Sequence, residues 1–336
     1  MSFQIEMPWK TLVFYRNCLP APHKDIYDAI YKGLCSWKEE IVFPVGVSAA
    51  ELSEIYTMVM RDYPMLFHVR SSFRITMSKT ASIYPDYIMT QNDYGNYAAA
   101  VKTFLIKCRR KTDQLNNFEK VKVLHDSMVK HIVYYGINED NSHNILGAIL
   151  DRKGVCESIA KSFKAMCDIC LVPSIVVFGV GNLEPGKPAT EENHAWNMVN
   201  LDGEWFNIDV THDAGLSEYE KSREIRYDYF CRSDGVILRD HSVLTKYKPI
   251  SRRDFSMYRA MHLVANKESD ITRIIQLISE RVPPTISFEY NLNVPDIEAS
   301  LQSWVGPAIG QYASGYSKYS LSINKACNVA SISLHQ

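Results

Sequence analysis

Three short segments in the middle of the chain carry a thiol, an imidazole and a carboxylate. They are Gly154-Val155-Cys156-Glu157, Asn193-His194-Ala195-Trp196-Asn197 and Trp205-Phe206-Asn207-Ile208-Asp209. A thiol attacks a carbonyl only as thiolate, so it needs a base beside it. The base in turn needs an acceptor that fixes its tautomer. Cys156, His194 and Asp209 are therefore the candidate nucleophile, base and orienting carboxylate.

The elements that must hold these groups can be read around them. Asp151-Arg152-Lys153-Gly154-Val155 is a polar, glycine-containing turn, and from Cys156 onward Ile159, Ala160, Phe163, Met166, Cys167 and Cys170 recur at helical spacing. Cys156 thus falls in the first turn of a helix, where free amide N–H groups and the positive end of the dipole favour a thiolate. Arg152 and Lys153 add positive charge just before it. Residues Asn193–Asn200 and Glu204–Thr211 read as strands joined by Leu201-Asp202-Gly203-Glu204, and Asp-Gly marks a two-residue type I′ hairpin turn. With Asp202 and Gly203 in the turn, His194 faces Thr211, Trp196 faces Asp209 and Met198 faces Asn207. His194 and Asp209 then lie diagonally on one face, about 7–8 Å apart at the backbone, within side-chain hydrogen-bonding reach. The same register sends His212 to the opposite face, past the end of the ladder, as a residue behind the site or on the surface.

The segments Gly-x-Cys, His-Ala-Trp-Asn and Trp-x-x-x-Asp resemble the core of the transglutaminase-like superfamily, relatives of papain-type thiol enzymes, over about residues 118–235. His125-Asp126 followed by a tyrosine pair is similar to the helix that precedes the cysteine in bacterial members. Glu157-Ser158-Ile159 stand where many members carry a glycine and an aromatic residue, and His212 where many carry a tryptophan. The resemblance implies an α+β fold, with the Cys156 helix packed on an antiparallel sheet whose hairpin carries His194 and Asp209. It also implies a thioester acyl-enzyme on Cys156, formed from an amide or ester of a protein or peptide. Water as acceptor makes a peptidase or amidase, and an amine makes a transglutaminase. No cofactor or metal is implied, and without an acidic calcium loop no calcium dependence is expected. The Cys156 amide is one natural oxyanion donor; a second stays open among Asn144, His143 and Tyr134. The alternative from another class is a catalytically silent interaction module, against which three reactive groups in register argue.

Other motifs are better explained by packing. Cys167-Asp168-Ile169-Cys170 is a CxxC, but it lies about three turns into the helix begun by Cys156. No second ligand pair accompanies it, so the two thiols read as packed side chains. Gly179-Val180-Gly181-Asn182 follows a strand, Ser174–Phe178, yet opens onto Pro185-Gly186-Lys187-Pro188 without the helix that a phosphate loop needs. A loop controlling access to Cys156 is expected there. His125 shares an apolar face with Phe118, Val121, Met128 and Ile132 and reads as a core histidine.

Composition bounds the partners. Of 336 residues, 46% are apolar and 22% charged, as in an ordinary globular chain, and the net charge of −1 offers no field for nucleic acid. Lys107-Cys108-Arg109-Arg110-Lys111, the one dense basic run, reads as a solvated helix end. Eight cysteines without framework spacing point to a reducing compartment. Met1–Lys10 lacks the basic and apolar regions of a signal peptide, and no apolar run approaches the roughly 18 residues that span a bilayer, so a cytoplasmic location away from membranes is expected.

Three segments are expected: an α/β unit over residues 1–96, the catalytic core over 97–250 and a second α/β unit over 251–336. The first reads as a helix around Ile26–Trp37, a strand Glu40–Val45, a helix Ala49–Arg61 capped by Ser48 and Glu51, and extended runs Leu66–Met77 and Ala81–Met89. Between the flanks, Tyr97–Tyr135 reads as a mostly helical bridge. The last segment repeats the order, with a helix over Ile271–Ile278, a strand Thr285–Tyr290, a helix opened by Pro295-Asp296-Ile297 and a hairpin over Tyr316–Leu334.

Overall fold

The computed structural model describes residues 11–43, 46–135, 140–181, 193–219, 224–281 and 284–336. Met1–Lys10, Pro44 and Val45 of the first expected strand, and the expected access loop from Asn182 to Pro188 lie outside them. The chain divides into two compact units. One comprises Met1–Val177, Ala195–Gly203 and Thr245–Lys248; the other comprises Phe178–His194, Glu204–Leu244 and Pro249–Gln336.

The first unit opens with helices α1 (Phe14–Cys18) and α2 (Ala21–Cys35), strand β1 (Ile41–Phe43), helix α3 (Ala49–Asp62) and the hairpin β2 (Val69–Met77) and β3 (Ala81–Tyr87). The sheet runs β1-β3-β2, antiparallel throughout. Ser48 and Glu51 make the expected reciprocal cap of α3: Ser48 Oγ accepts the Glu51 N–H at 3.2 Å, and Glu51 Oε2 accepts the Ser48 N–H at 2.8 Å. The extended run begins at Val69, not Leu66, because the Leu66 N–H closes a turn onto the Tyr63 carbonyl at 3.0 Å. Met65, Leu66 and Phe67 go into the core instead. Buried Asp62 gathers α1 and α2 onto α3, accepting the Tyr15 N–H at 3.0 Å and the Tyr27 hydroxyl at 2.7 Å.

The expected helical bridge is two helices, α4 (Gln91–Thr112) and α5 (Asn117–His131), each opened by a capping box, Thr90 with Asp93 and Asn116 with Glu119. A short parallel pair, β4 (Val133–Tyr134) with β5 (Lys153–Gly154), leads into α6 (Cys156–Ile169). α6 packs on α4 and α5. From Ser158 to Ile169 all its residues are buried, so it forms the axis of the unit. His125 is buried on α5 as expected, with Nδ1 3.2 Å from Asp126 Oδ1. Cys167 and Cys170 are buried, and the Thr112 hydroxyl donates to Cys170 Sγ at 3.2 Å, in keeping with packed thiols.

Strands β6 (Ser174–Gly181), β7 (Asn193–Leu201), β8 (Glu204–Ile208) and β9 (His241–Val243) form a sheet in the order β8-β7-β6-β9. Between β7 and β8, Asp202 and Gly203 both take positive φ, 54° and 96°, as a type I′ turn demands.

In the second unit the expected strand Glu204–Thr211 stops at Ile208, and helix α7 (Val210–Tyr219) begins at once. Asp209 starts it as a cap, its Oδ1 accepting the His212 N–H at 3.1 Å. Helix α8 (Asp234–Ile237), helix α9 (Met257–Ala260), strand β10 (Val264–Ala265), helix α10 (Glu268–Ser279), strand β11 (Thr285–Tyr290), helix α11 (Ile297–Tyr312) and the hairpin β12 (Lys318–Asn324) and β13 (Val329–His335) complete the unit. Its sheet runs β10-β11-β13-β12. Apart from β10, this is the β1-β3-β2 order again, built from the same helix–strand–helix–hairpin succession.

Candidate active site

Cys156 is the first residue of α6 and is half-buried. Its helix has Val155 as N-cap, with no side chain capping the first turn. The approach to it is built on two crowded glycines. A Cβ on Gly147 would stand 2.3 Å from the Asn141 carbonyl oxygen and 2.6 Å from that of Lys153. A Cβ on Gly154 would stand 2.7 Å from Ser158 Oγ. Ser158 in turn donates to the Asn144 carbonyl at 2.5 Å and accepts the Ala148 N–H at 3.1 Å, so the first turn of α6 is locked to the segment before it.

Glu157, next to Cys156, is the centre of a polar cluster. Its Oε1 accepts from Lys161 at 2.6 Å and from the Ser71 hydroxyl at 2.9 Å, and its Oε2 lies 3.3 Å from His143 Nδ1. Burial pushes this carboxyl up, but Lys161, His143 and Ser71 outweigh it and hold the pKa at about 2. The cluster edges a cavity of about 290 Å³ with an apolar side formed by Met60, Leu66, Phe67 and Ile88. Of the oxyanion candidates, His143 and Asn144 both line this cavity.

The second unit brings His194 and Asp209 together. His194 Nε2 lies 2.6 Å from Asp209 Oδ2, with both side chains buried. Asp209 is anchored by its own N–H, which donates to the Tyr229 carbonyl at 3.1 Å. Gly181 backs the imidazole, where any Cβ would be 2.9 Å from His194 Cδ2. Within the first unit, the motif residue Asn197 fixes the same strand, donating to the Ala160 carbonyl on α6 at 2.9 Å and to the Ile175 carbonyl on β6 at 3.1 Å.

His212 does not point away. It is buried, with Nδ1 2.6 Å from Asp209 Oδ2. The expectation assumed a regular strand, whereas α7 begins at Val210, and residues three apart on a helix share a face. The polar residue at position 209, capping a helix, is the signal that would have placed it.

His241 joins the pair from outside the sequence motifs. It sits on β9, opposite Gly181 in the β6–β9 register, with Nε2 3.0 Å from Asp209 Oδ2 and Nδ1 2.7 Å from Asp240 Oδ1. Nothing local in the sequence marks it, because the strand that carries it pairs far along the chain.

The charges follow from these contacts. Burial raises the Asp209 carboxyl, but His212 and His194 overcome it and hold the pKa well below the usual carboxylate range. Burial lowers His194, opposed by Asp209 and reinforced by its two imidazole neighbours, and the net shift is down. His241 is pushed the other way: burial lowers it, yet contacts with Asp209 and Asp240 raise it to about 9. The contacts thus favour the ionised form of Asp209, raise His241 and lower His194.

Residues 103–210 match the family model of the transglutaminase-like superfamily, which contains Cys156, His194 and Asp209. Over that segment the chain is similar to this superfamily, and its mixed helix-and-sheet architecture is of the α+β, transglutaminase-like class. Mouse kyphoscoliosis peptidase is 28% identical over 165 residues, 42% of this chain and 25% of that protein. The chain therefore matches about a quarter of the length of this curated relative. Among solved structures, a candidate cysteine protease from Cytophaga hutchinsonii aligns at 13% identity and TM-score 0.29, over 42% of this chain and 61% of the other. The periplasmic domain of TgpA from Pseudomonas aeruginosa aligns at 15% identity and TM-score 0.28, over 42% and 56%. No helix among the described residues is long and apolar enough to cross a membrane.

Proposed function

We propose that the chain is a thiol-dependent acyl-transfer enzyme acting on amide or ester bonds of proteins or peptides. Cys156 attacks the carbonyl as thiolate, His194 accepts the thiol proton and later donates it to the leaving group, and Asp209 holds the imidazole in the required tautomer. The observation that carries this reading is the buried 2.6 Å contact between His194 and Asp209, with Nε2 turned to the carboxylate. A half-buried cysteine at a helix start and the family match of the same segment support it. The thioester formed on Cys156 is resolved by water, giving a peptidase or amidase, or by an amine, giving a transglutaminase. Six of the eight cysteines are buried as small apolar side chains, which suits the reducing cytoplasm.

Intact-mass detection of acyl-enzyme tests the reading, using a panel of glutamine- and asparagine-containing peptides with and without a primary amine. A mass increase on the native chain that is missing from Cys156→Ala is the expected result. Acyl adducts that persist in Cys156→Ala remove Cys156 from the mechanism. An absence of adducts from both, with full reactivity toward small acylating probes also missing, leaves the silent interaction module.

A further inference from the structure

A thiol-enzyme site requires one imidazole on its carboxylate, and this one has three. His194 Nε2, His212 Nδ1 and His241 Nε2 stand 2.6, 2.6 and 3.0 Å from the same oxygen, Asp209 Oδ2. One carboxylate oxygen offers about two lone pairs, so three nitrogens are more than hydrogen bonding to it can use well. The four donor atoms lie within 4.8 Å of one another, and all four residues are buried. Three imidazoles and a carboxylate form a donor set suited to zinc and related divalent transition metals.

The rings are already spaced for an ion. Their centroids are 4.7 Å (His194–His212), 4.9 Å (His212–His241) and 5.4 Å (His194–His241) apart. Three imidazoles bound tetrahedrally with bonds of about 2.0–2.1 Å would have centroids about 5.2 Å apart. Donor atoms on such an ion are separated by about 3.3 Å, so Asp209 Oδ2 need withdraw by only about half an ångström. An outer contact is in place at His241. His241 Nδ1 is held by Asp240, whose other oxygen accepts the Tyr229 hydroxyl, the carboxylate–histidine arrangement that orients metal-binding imidazoles.

We propose that His194, His212, His241 and Asp209 bind one divalent transition-metal ion of the zinc type, and that the bound ion switches the acyl-transfer site off. The binding stands on the cluster alone; the switching rests on the thiol-enzyme reading. An imidazole coordinated through Nε2 carries its proton on Nδ1 and has no lone pair left to accept another. His194 then cannot take the proton of a thiol, and Asp209 is drawn to the ion.

The full chain, freed of metal with a chelator, is titrated with cobalt(II) and zinc(II). The expected result is one equivalent of cobalt giving the intense visible absorption of a tetrahedral ion, displaced by zinc. Zinc should also raise the melting temperature of the native chain. His241→Gln should lose the signal. Asp240→Asn, which keeps all four ligands, should weaken zinc binding by about 10–100-fold. Cys156→Ala should bind as the native chain does. Failure to bind one equivalent, binding unchanged in both His241→Gln and Asp240→Asn, or loss of binding in Cys156→Ala would overturn the site. For the switch, one equivalent of zinc should abolish acyl-enzyme formation and a chelator should restore it. Undiminished turnover in the zinc-loaded chain overturns the switching. Stoichiometric metal binding by a chain that forms no acyl-enzyme even when metal-free keeps the metal site and removes the thiol-enzyme reading.

Discussion

Gly181 lies so close to His194 that a Cβ at that position would stand 2.9 Å from the imidazole Cδ2 and 3.0 Å from Cγ. A side chain there must displace the ring. Gly181→Ala is therefore expected to cut turnover by about 10–100-fold, the scale set by ångström-sized misplacement of a reacting group. Folding should be affected far less. Steady-state kinetics beside a thermal melt separates the two effects, and unchanged turnover would mean that the ring yields freely.

Asp209→Asn should keep the fold but lower turnover by about 10³-fold or more, since an amide can hold His194 in the wrong tautomer. His212→Ala should also be costly. It removes a buried contact to an ionised carboxylate, a loss of about 1.5–3 kcal/mol in stability. Denaturant titration of the two variants measures this, and a neutral His212→Ala would show that the contact contributes nothing.

Substoichiometric iodoacetamide near pH 6 should label Cys156 first among the eight thiols. Six are buried, and burial raises Cys35 to about 11 and Cys108 to about 12. Cys18, the other half-buried cysteine, is also raised, by burial and then by Asp62. Cys156 instead sits at a helix start, where thiolates are favoured. Peptide mapping by mass spectrometry gives the order. Cys18 reacting as fast as Cys156 would contradict the activated thiol, provided the unfolded chain labels all eight alike.

Glu157 provides an acid-dependent contribution to stability. Its folded pKa of about 2 lies below the ordinary 4.5, so the stabilisation is fully present above about pH 4.5 and is lost as the pH falls through 2. The difference corresponds to something on the order of 3 kcal/mol. In denaturant melts from pH 6 to pH 2 the native chain should lose its advantage over Glu157→Gln across that window. A gap that stays constant with pH would show that the Lys161 and His143 contacts do not persist in solution.

Much of this architecture is local and therefore legible in the sequence. The Asp202–Gly203 turn follows from the demand for two positive φ angles, and Ser48 with Glu51 caps α3 as its spacing prescribes. Strand β11 has the limits that its alternation suggests, Thr285 to Tyr290. What escaped was non-local or depended on a change of element. The run Val210-Thr211-His212 is β-rich in composition, yet it is helical, with the carboxylate of Asp209 capping its first turn. His241 reaches Asp209 through pairing of β9 with β6, a contact between distant stretches that no periodicity announces. β6 also runs on to Gly181, beyond the expected end at Phe178, because Gly179–Gly181 pair with the distant strand β9.

The recurrence of one topology at both ends of the chain creates a problem during folding. Strands that answer to the same neighbours can be exchanged before either sheet is complete, and repeated architectures are prone to such misassembly. The two sets of strands differ in the way that discourages exchange. β1 is three residues long with Val42 facing solvent, whereas every residue of β11 is buried. Placed between β10 and β13, β1 would leave half of the longer ladder unpaired and its core face unfilled. Divergence of the two strands disfavours such an exchange, and a chimera carrying β11 in place of β1 should refold slowly and with a larger aggregated fraction.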